Sequence, residues 1–171
     1  MLSLSIYCSS QTISIALYQR QNLINYIEEI ITSRKIDKIF LILKKILRKK
    51  KEKLDNIYFS IGPGSYTAIR SIKSIAQAIS LISKAKVISI KEFEIYLANE
   101  ENLITNAFVY NKGPGDKFFY QFFRLNRKLY KASSDCFIGS IFEVMKFVKM
   151  KKFFFDNLHI ITDNHENLKS L

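Results

Sequence analysis

Histidine and cysteine are scarce, with two of each in 171 residues. Cys8 and Cys136 lie far apart, and His159 and His165 both fall near the C-terminus. Four such residues give neither metal-ligand spacing nor a disulfide framework. Zinc-centred and disulfide-stapled folds are therefore excluded, and reduced thiols are expected. No apolar run reaches the about 18–20 residues of a membrane span. The opening stretch MLSLSIYCSS has neither the charged start nor the long apolar segment of a signal peptide. The chain is expected to be soluble and cytoplasmic, with no membrane partner. Both prolines and four of the five glycines fall in two Gly-Pro-Gly triplets, so no Pro/Gly-rich linker divides the chain. Paired carboxylates and a Ser-His-Asp arrangement are also missing. No catalytic residue, cofactor or metal is expected.

What is present is basic charge and apolar pattern. The net charge is +12 and the pI about 9.7. Such a surplus suits a polyanion partner. It suits equally an AT-rich coding bias, since lysine far outnumbers arginine and Ile, Asn and Phe abound throughout. Both readings stay open. The densest run, KKILRKKKEK from Lys44 to Lys53, falls on the outer face or beyond the end of a predicted helix, where lysines also aid solvation and suit the C-terminal dipole. A hydrophobic fraction of 48% supports one compact domain or two small lobes.

LSLSIYCS and TISIALY read as a hairpin, and NLINYIEEIIT as a third strand. From Arg34 to about Lys51 the period becomes helical, with Ile36, Ile39, Phe40, Leu43, Ile46 and Leu47 on one face and Leu41 on the polar side. NIYFSIG is a buried strand. Ser65 to Ser83 is a second helix, with Ala68, Ile72, Ile75, Ile79 and Ile82 inward. Its other face carries Tyr66, Arg70, Lys73, Ser74, Gln77 and, against the pattern, Leu81. AKVISI returns as a strand and KEFEIYLANE as a short helix. Strands LITNAFVYN and KFFYQFFRLN, a short edge RKLYKA, a helix SIFEVMKFVK and a late strand LHIITDN follow. Strand-helix-strand-helix-strand implies a partly parallel sheet.

The stretch SIGPGSYTAIR, Ser60 to Arg70, carries the sharpest signal. Gly62 and Gly64 allow positive φ or close backbone approach, and Pro63 biases Gly62 away from the helical region. Ser65 is placed to cap the helix, with Thr67 in its first turn. A helix N-terminus welcomes an anion. The spacing nevertheless lacks the lysine of a P-loop and the third glycine of a dinucleotide fingerprint. The turn is read as setting the start and angle of a helix rather than gripping phosphate. The second triplet, Gly113 to Gly115, lies between two strands and reads as a hairpin turn.

IGPGSYTAIR, the Ala- and Ile-rich helix after it and AKVISIKEFE together resemble the TsaB (YeaZ-like) family, whose pattern is close to I-G-P-G-S-[FY]-T-G-[IL]-R. Ala68 replaces the second glycine. The resemblance weakens past Asn111, and the chain is shorter than most relatives. It implies an α/β fold of the actin/hexokinase/Hsp70 ATPase-like, ribonuclease H-like group, a mixed sheet flanked by helices with a reduced second lobe. We expect one lobe over 1–102 carrying the motif and a shortened one over 103–171. The resemblance implies a non-catalytic subunit that pairs with a TsaD-type catalytic subunit and a TsaE-type ATPase. Together these place threonylcarbamoyl on the tRNA adenosine beside the anticodon. By register the family's D-T-S falls on Tyr7-Cys8-Ser9, where Tyr7 cannot serve a hard cation as a carboxylate does. R-x-H-S-E falls on Arg34-Lys35-Ile36-Asp37-Lys38, without histidine.

Function is accordingly expected on the two helices, which the family uses for association. Arg70, Lys73, Ser74, Gln77, Leu81 and Leu41 are the candidate partner contacts, Arg70 offering a charge-assisted one. Lys45, Arg48, Lys49, Lys50 and Lys51 are the candidate tRNA contacts. The pattern leaves open whether the free protein forms a homodimer. Two other readings compete: a stand-alone basic RNA-binding module, and a degenerate sugar-kinase- or peptidase-like enzyme on the same fold. In KFFYQFFR aromatics fall on both strand faces, so burial of at least one face is the simpler reading than a base-stacking platform.

Overall fold

A computed structural model describes residues 1–9, 12–30, 35–47, 54–98, 100, 104–154 and 157–162. The chain divides into two compact units, Met1–Ile90 and Lys91–Leu171.

The first unit is a five-stranded mixed sheet with two helices. Strands β1 (Leu2–Cys8), β2 (Thr12–Gln19) and β3 (Asn22–Ile30) form an antiparallel meander. Helix α1 (Lys35–Leu47), strand β4 (Asn56–Ser60), helix α2 (Tyr66–Ser83) and strand β5 (Lys86–Ile90) follow. Both β4 and β5 run parallel to β1, giving the order β3-β2-β1-β4-β5. Period-two alternation sends Leu4 and Ile6 of β1, Ile13, Ile15 and Leu17 of β2, and Ile57 and Phe59 of β4 into one core. There they meet Ile39, Ile42, Leu43 and Ile46 of α1, and Ala68, Ile72, Ile75 and Ala76 of α2. Each fully buried isoleucine contributes about 1.5–3 kcal/mol, so these stripes hold the helices to the sheet.

Two expected inward residues are outside. Phe40 is 57% exposed, and Ile42 takes its place in the core. The run IFLIL is apolar without interruption, so its period fits either face, and the sheet selects the one containing Ile42. Ile82 is 88% exposed. It sits at the rim of the buried stripe in the last turn, just before left-handed Lys84 leads the chain into β5.

In the second unit α3 (Glu92–Ala98) precedes β6 (Asn106–Lys112), β7 (Lys117–Asn126), β8 (Leu129–Ala132), β9 (Phe137–Ser140), α4 (Ile141–Phe154) and β10 (Leu158–Thr162). The order is β10-β6-β7-β8, and β9 pairs with the first half of β7. Phe108, Tyr110, Phe118, Tyr120 and Phe122 pack under Val144 and Val148 of α4. Ala107, Val109 and Phe123 pack against Phe93 and Leu97 of α3. Both aromatic faces of KFFYQFFR are thus interior packing, and the strand is no base-stacking platform. The second Gly-Pro-Gly closes the β6–β7 hairpin, Gly113 N–H donating to the Lys117 carbonyl at 2.8 Å.

A capping box opens α4. Ser140 N–H donates to Glu143 Oε2 at 2.7 Å, and Glu143 N–H donates to Ser140 Oγ at 3.3 Å. The backbone N–H and then the hydroxyl of Ser140 hold the Glu143 carboxyl below its ordinary value. A carboxyl depressed in the native state stabilises above its unfolded pKa, and that contribution is lost as pH falls through the native value. Glu143→Gln keeps an acceptor without the charge. The melting-temperature advantage of wild type over this variant is expected to shrink as pH falls below the usual glutamate value of about 4.3. Paired thermal melts across that range check it.

Candidate functional site

Strand β4 ends at Ser60, and the next four residues must turn the chain into α2. Ile61 N–H donates to the Ile90 carbonyl at 2.9 Å, and Gly62 N–H to Ser60 Oγ at 3.3 Å. Gly62 has φ +89°, in the region that favours glycine, and its peptide to Pro63 is cis. A Cβ there would stand 2.8 Å from Ile69 Cδ1 and 3.0 Å from Gly64 N. Gly64 needs no positive φ. Ser65, at φ −61° and ψ 112°, is the N-cap, its Oγ accepting a long 3.5 Å bond from Ala68 N–H. Thr67 is exposed, and its carbonyl accepts from Ser71 Oγ–H at 2.8 Å. The turn is therefore fixed at both ends by the protein's own groups.

Beyond it, α2 presents a continuous solvent stripe. Tyr66, Arg70, Lys73, Ser74, Gln77 and Leu81 are all exposed, Leu81 at 75%. They recur at three- and four-residue steps, opposite Ala68, Ile72, Ile75 and Ala76. The Arg70 guanidinium lies 4.6 Å from the Tyr66 ring centroid. Among the described residues no carboxylate is within ion-pair distance of Arg70, and the exposed arginine rests against an aromatic face. On α1, Leu41 is 59% exposed. Lys45 is exposed too, but it lies 3.9 Å from Glu29 of β3, which also meets Lys38 at 4.0 Å. Its charge is thus shared with a carboxylate of the protein. Arg48, Lys49, Lys50 and Lys51 lie outside the described residues.

Some features were not read from the sequence. A groove of about 630 Å³ runs between α2 and β5, lined by Phe59, Lys73, Gln77, Ser80, Leu81, Val87 and Ser89. KVISI carries no mark that it is an edge strand, so only the fold reveals this groove. In the second unit Glu92 is buried and accepts from Tyr96 Oη–H at 2.8 Å and from Asn111 Nδ2–H at 3.3 Å. The four-residue Glu92–Tyr96 spacing on a helix was the available signal. Tyr7 is partly buried near the end of β1, beside Ser14 of β2. Among the described residues no group of three or more His, Cys, Asp or Glu could hold a metal ion. His159 is exposed on β10, and His165 lies outside the described residues. No described helix is long and apolar enough to cross a membrane.

A family model described as TsaD: tRNA N6-adenosine threonylcarbamoyltransferase matches residues 29–115, from the end of β3 through the second Gly-Pro-Gly. The tRNA threonylcarbamoyladenosine biosynthesis protein TsaB of Buchnera aphidicola subsp. Acyrthosiphon pisum (strain APS) is 34% identical over 95 residues, covering 54% of this chain and 42% of that protein. An uncharacterized protein with similarity to peptidase YEAZ from Pseudomonas aeruginosa superposes with a TM-score of 0.67 at 17% identity, over 81% of this chain and 66% of the other. YeaZ from Pseudomonas aeruginosa superposes at 0.62 and 16% identity, over 80% and 66%. The chain thus spans under half of the curated relative and just under two thirds of these structures. The architecture is the α/β fold that these two structures share.

Proposed function

The chain belongs to the family described as TsaD, tRNA N6-adenosine threonylcarbamoyltransferase, and on that premise we propose that it is a non-catalytic subunit of the TsaB kind. It pairs with a TsaD-type catalytic subunit in making threonylcarbamoyladenosine on tRNA, with a TsaE-type ATPase in the same machinery. The observation that carries this reading is the outer stripe of α2. An amphipathic helix whose second face offers an exposed leucine, one preset tyrosine-arginine stack and a row of polar groups is suited to a protein surface. Arg70 and the aromatic Tyr66 are the residue types that anchor interfaces. Tyr7, standing where the resemblance puts a carboxylate, supports assigning the chemistry to the other subunit. We place tRNA contact at the basic end of α1 and beyond it, Lys45 to Lys51, where each phosphate contact adds affinity that salt removes.

Co-expression with the TsaD homologue of the same genome tests the reading. Purification through a tag on one chain is expected to yield a one-to-one pair, with no specific ATP binding by this chain alone in titration calorimetry. A tagged chain that emerges alone under conditions where both are soluble would remove the pairing proposal.

A further inference from the structure

The unused feature of the first unit is the outer edge of β5. Parallel pairing with β4 engages alternate residues of β5: Lys86 N–H donates to the Asp55 carbonyl at 2.9 Å, and the Ile90 carbonyl accepts from Ile61 N–H at 2.9 Å. Val87 and Ser89, of opposite parity, therefore direct their backbone N–H and C=O groups away from β4. Among the described residues no strand pairs with that edge. The same two residues line the groove against α2, where Phe59 and Leu81 supply apolar wall and Gln77 and Ser80 polar points. Edge hydrogen-bonding groups beside side-chain pockets are the two parts that strand addition requires. The groove's lining contains one charged side chain, Lys73, and no acid; exposed Lys84 and Lys86 stand at the start of β5. Asp55, beside that start, is held by Leu2 N–H at 2.6 Å.

We propose that the β5 edge and its groove bind an acidic peptide segment in extended conformation. The segment adds as a sixth strand on Val87 and Ser89. Alternate apolar side chains enter the groove between α2 and β5, and the carboxylates between them project to the opposite face, the side of Lys86, with Lys84 beside it. The groove shares Lys73, Gln77 and Leu81 with the pairing surface proposed above, and the site differs from that surface in its outward backbone groups on β5.

The test uses the full chain and a fluorescein-labelled heptapeptide of alternating glutamate and valine, read by fluorescence anisotropy. Saturable binding at low salt is expected, weakened by added salt. The lysine-valine counterpart is expected to bind at least about tenfold more weakly. An acidic peptide N-methylated at alternate residues is expected to lose about as much, since it cannot complete the ladder. Val87→Pro removes one outward N–H without touching the β4 ladder and is expected to cost about tenfold, with the far-UV spectrum retained. Lys146→Glu, on α4, is expected to change nothing. Equal binding of the N-methylated or lysine peptide, unaltered binding by Val87→Pro, or absence of saturation would overturn the proposal. Displacement by oligouridylate as effective as by unlabelled peptide would do so too, assigning the lysines to phosphate. Val87→Pro is expected to leave co-purification with the TsaD-type subunit intact, so the two proposals fail separately.

Discussion

Arg70→Glu combined with Leu81→Glu is expected to weaken capture of the TsaD-type subunit by at least about 100-fold while leaving the thermal midpoint of the free chain nearly unchanged. Both side chains face solvent in the monomer, Leu81 at 75% exposure, and exposed substitutions commonly alter stability by under about 0.5 kcal/mol. At an interface the same residues count for more. A central arginine or a buried apolar anchor typically costs about 2 kcal/mol or more on removal, and about 1.4 kcal/mol is a factor of ten in affinity. Two such losses exceed 100-fold even with incomplete additivity. Reversal of charge at Arg70 also replaces the donor of the charge-assisted contact expected of it with an acceptor. The stack on Tyr66 sharpens the expectation, because a side chain already held at 4.6 Å over a ring loses less rotamer freedom on binding. Arg70→Lys keeps the charge but loses the planar fork and the stacking, and should fall between wild type and the double variant. Surface plasmon resonance on the separately purified subunits measures all three. Unchanged affinity in the double variant would show that α2 does not carry the pairing.

How much of this was legible before the fold is visible in α1 and α2. Alternation in β1 and β2 and the three-four period of α2 specify burial directly, Ile82 in the last turn of α2 excepted, because each strand or helix there has one apolar face. In α1 the residues from Ile39 to Leu43 are all apolar, so period alone cannot choose between Phe40 and Ile42. That choice belongs to the sheet, which is assembled from residues distant in sequence. The same limit hid β9, whose four residues become a strand only through pairing with β7. It also hid the groove, since an edge strand and a central strand of the KVISI kind look alike until their neighbours are counted. The outer stripe of α2 was readable as a face because it is defined within one helix. What the stripe touches is not written in that helix.

Gly62→Ala is expected to lower stability by about 2–3 kcal/mol, about 1 kcal/mol more than the same change at Gly115. Both glycines have positive φ, +89° and +61°. A left-handed backbone costs an L-residue roughly 1–2 kcal/mol at either site. The surroundings differ. Nothing lies within 4 Å of a Cβ at Gly115, so backbone preference is the whole cost there. At Gly62 the added methyl meets Ile69 Cδ1 at 2.8 Å and Gly64 N at 3.0 Å. Rotation of Ile69 relieves the first contact, but the second is with backbone and persists unless the turn opens. Opening the turn pulls on Ile61, bonded to Ile90, and on Ser65, the cap of α2. The strain is thereby passed to the helix start, so pairing should weaken along with stability. Addition of Ile69→Ala removes the side-chain contact and leaves the backbone one. The double variant should be more stable than the sum of the single losses by about 1 kcal/mol. Urea denaturation of the four chains, with Gly115→Ala as comparison, gives the coupling. Equal losses at Gly62 and Gly115 would mean that the first turn is no more constrained than a hairpin loop, and that the direction of α2 is set by its packing on the sheet alone.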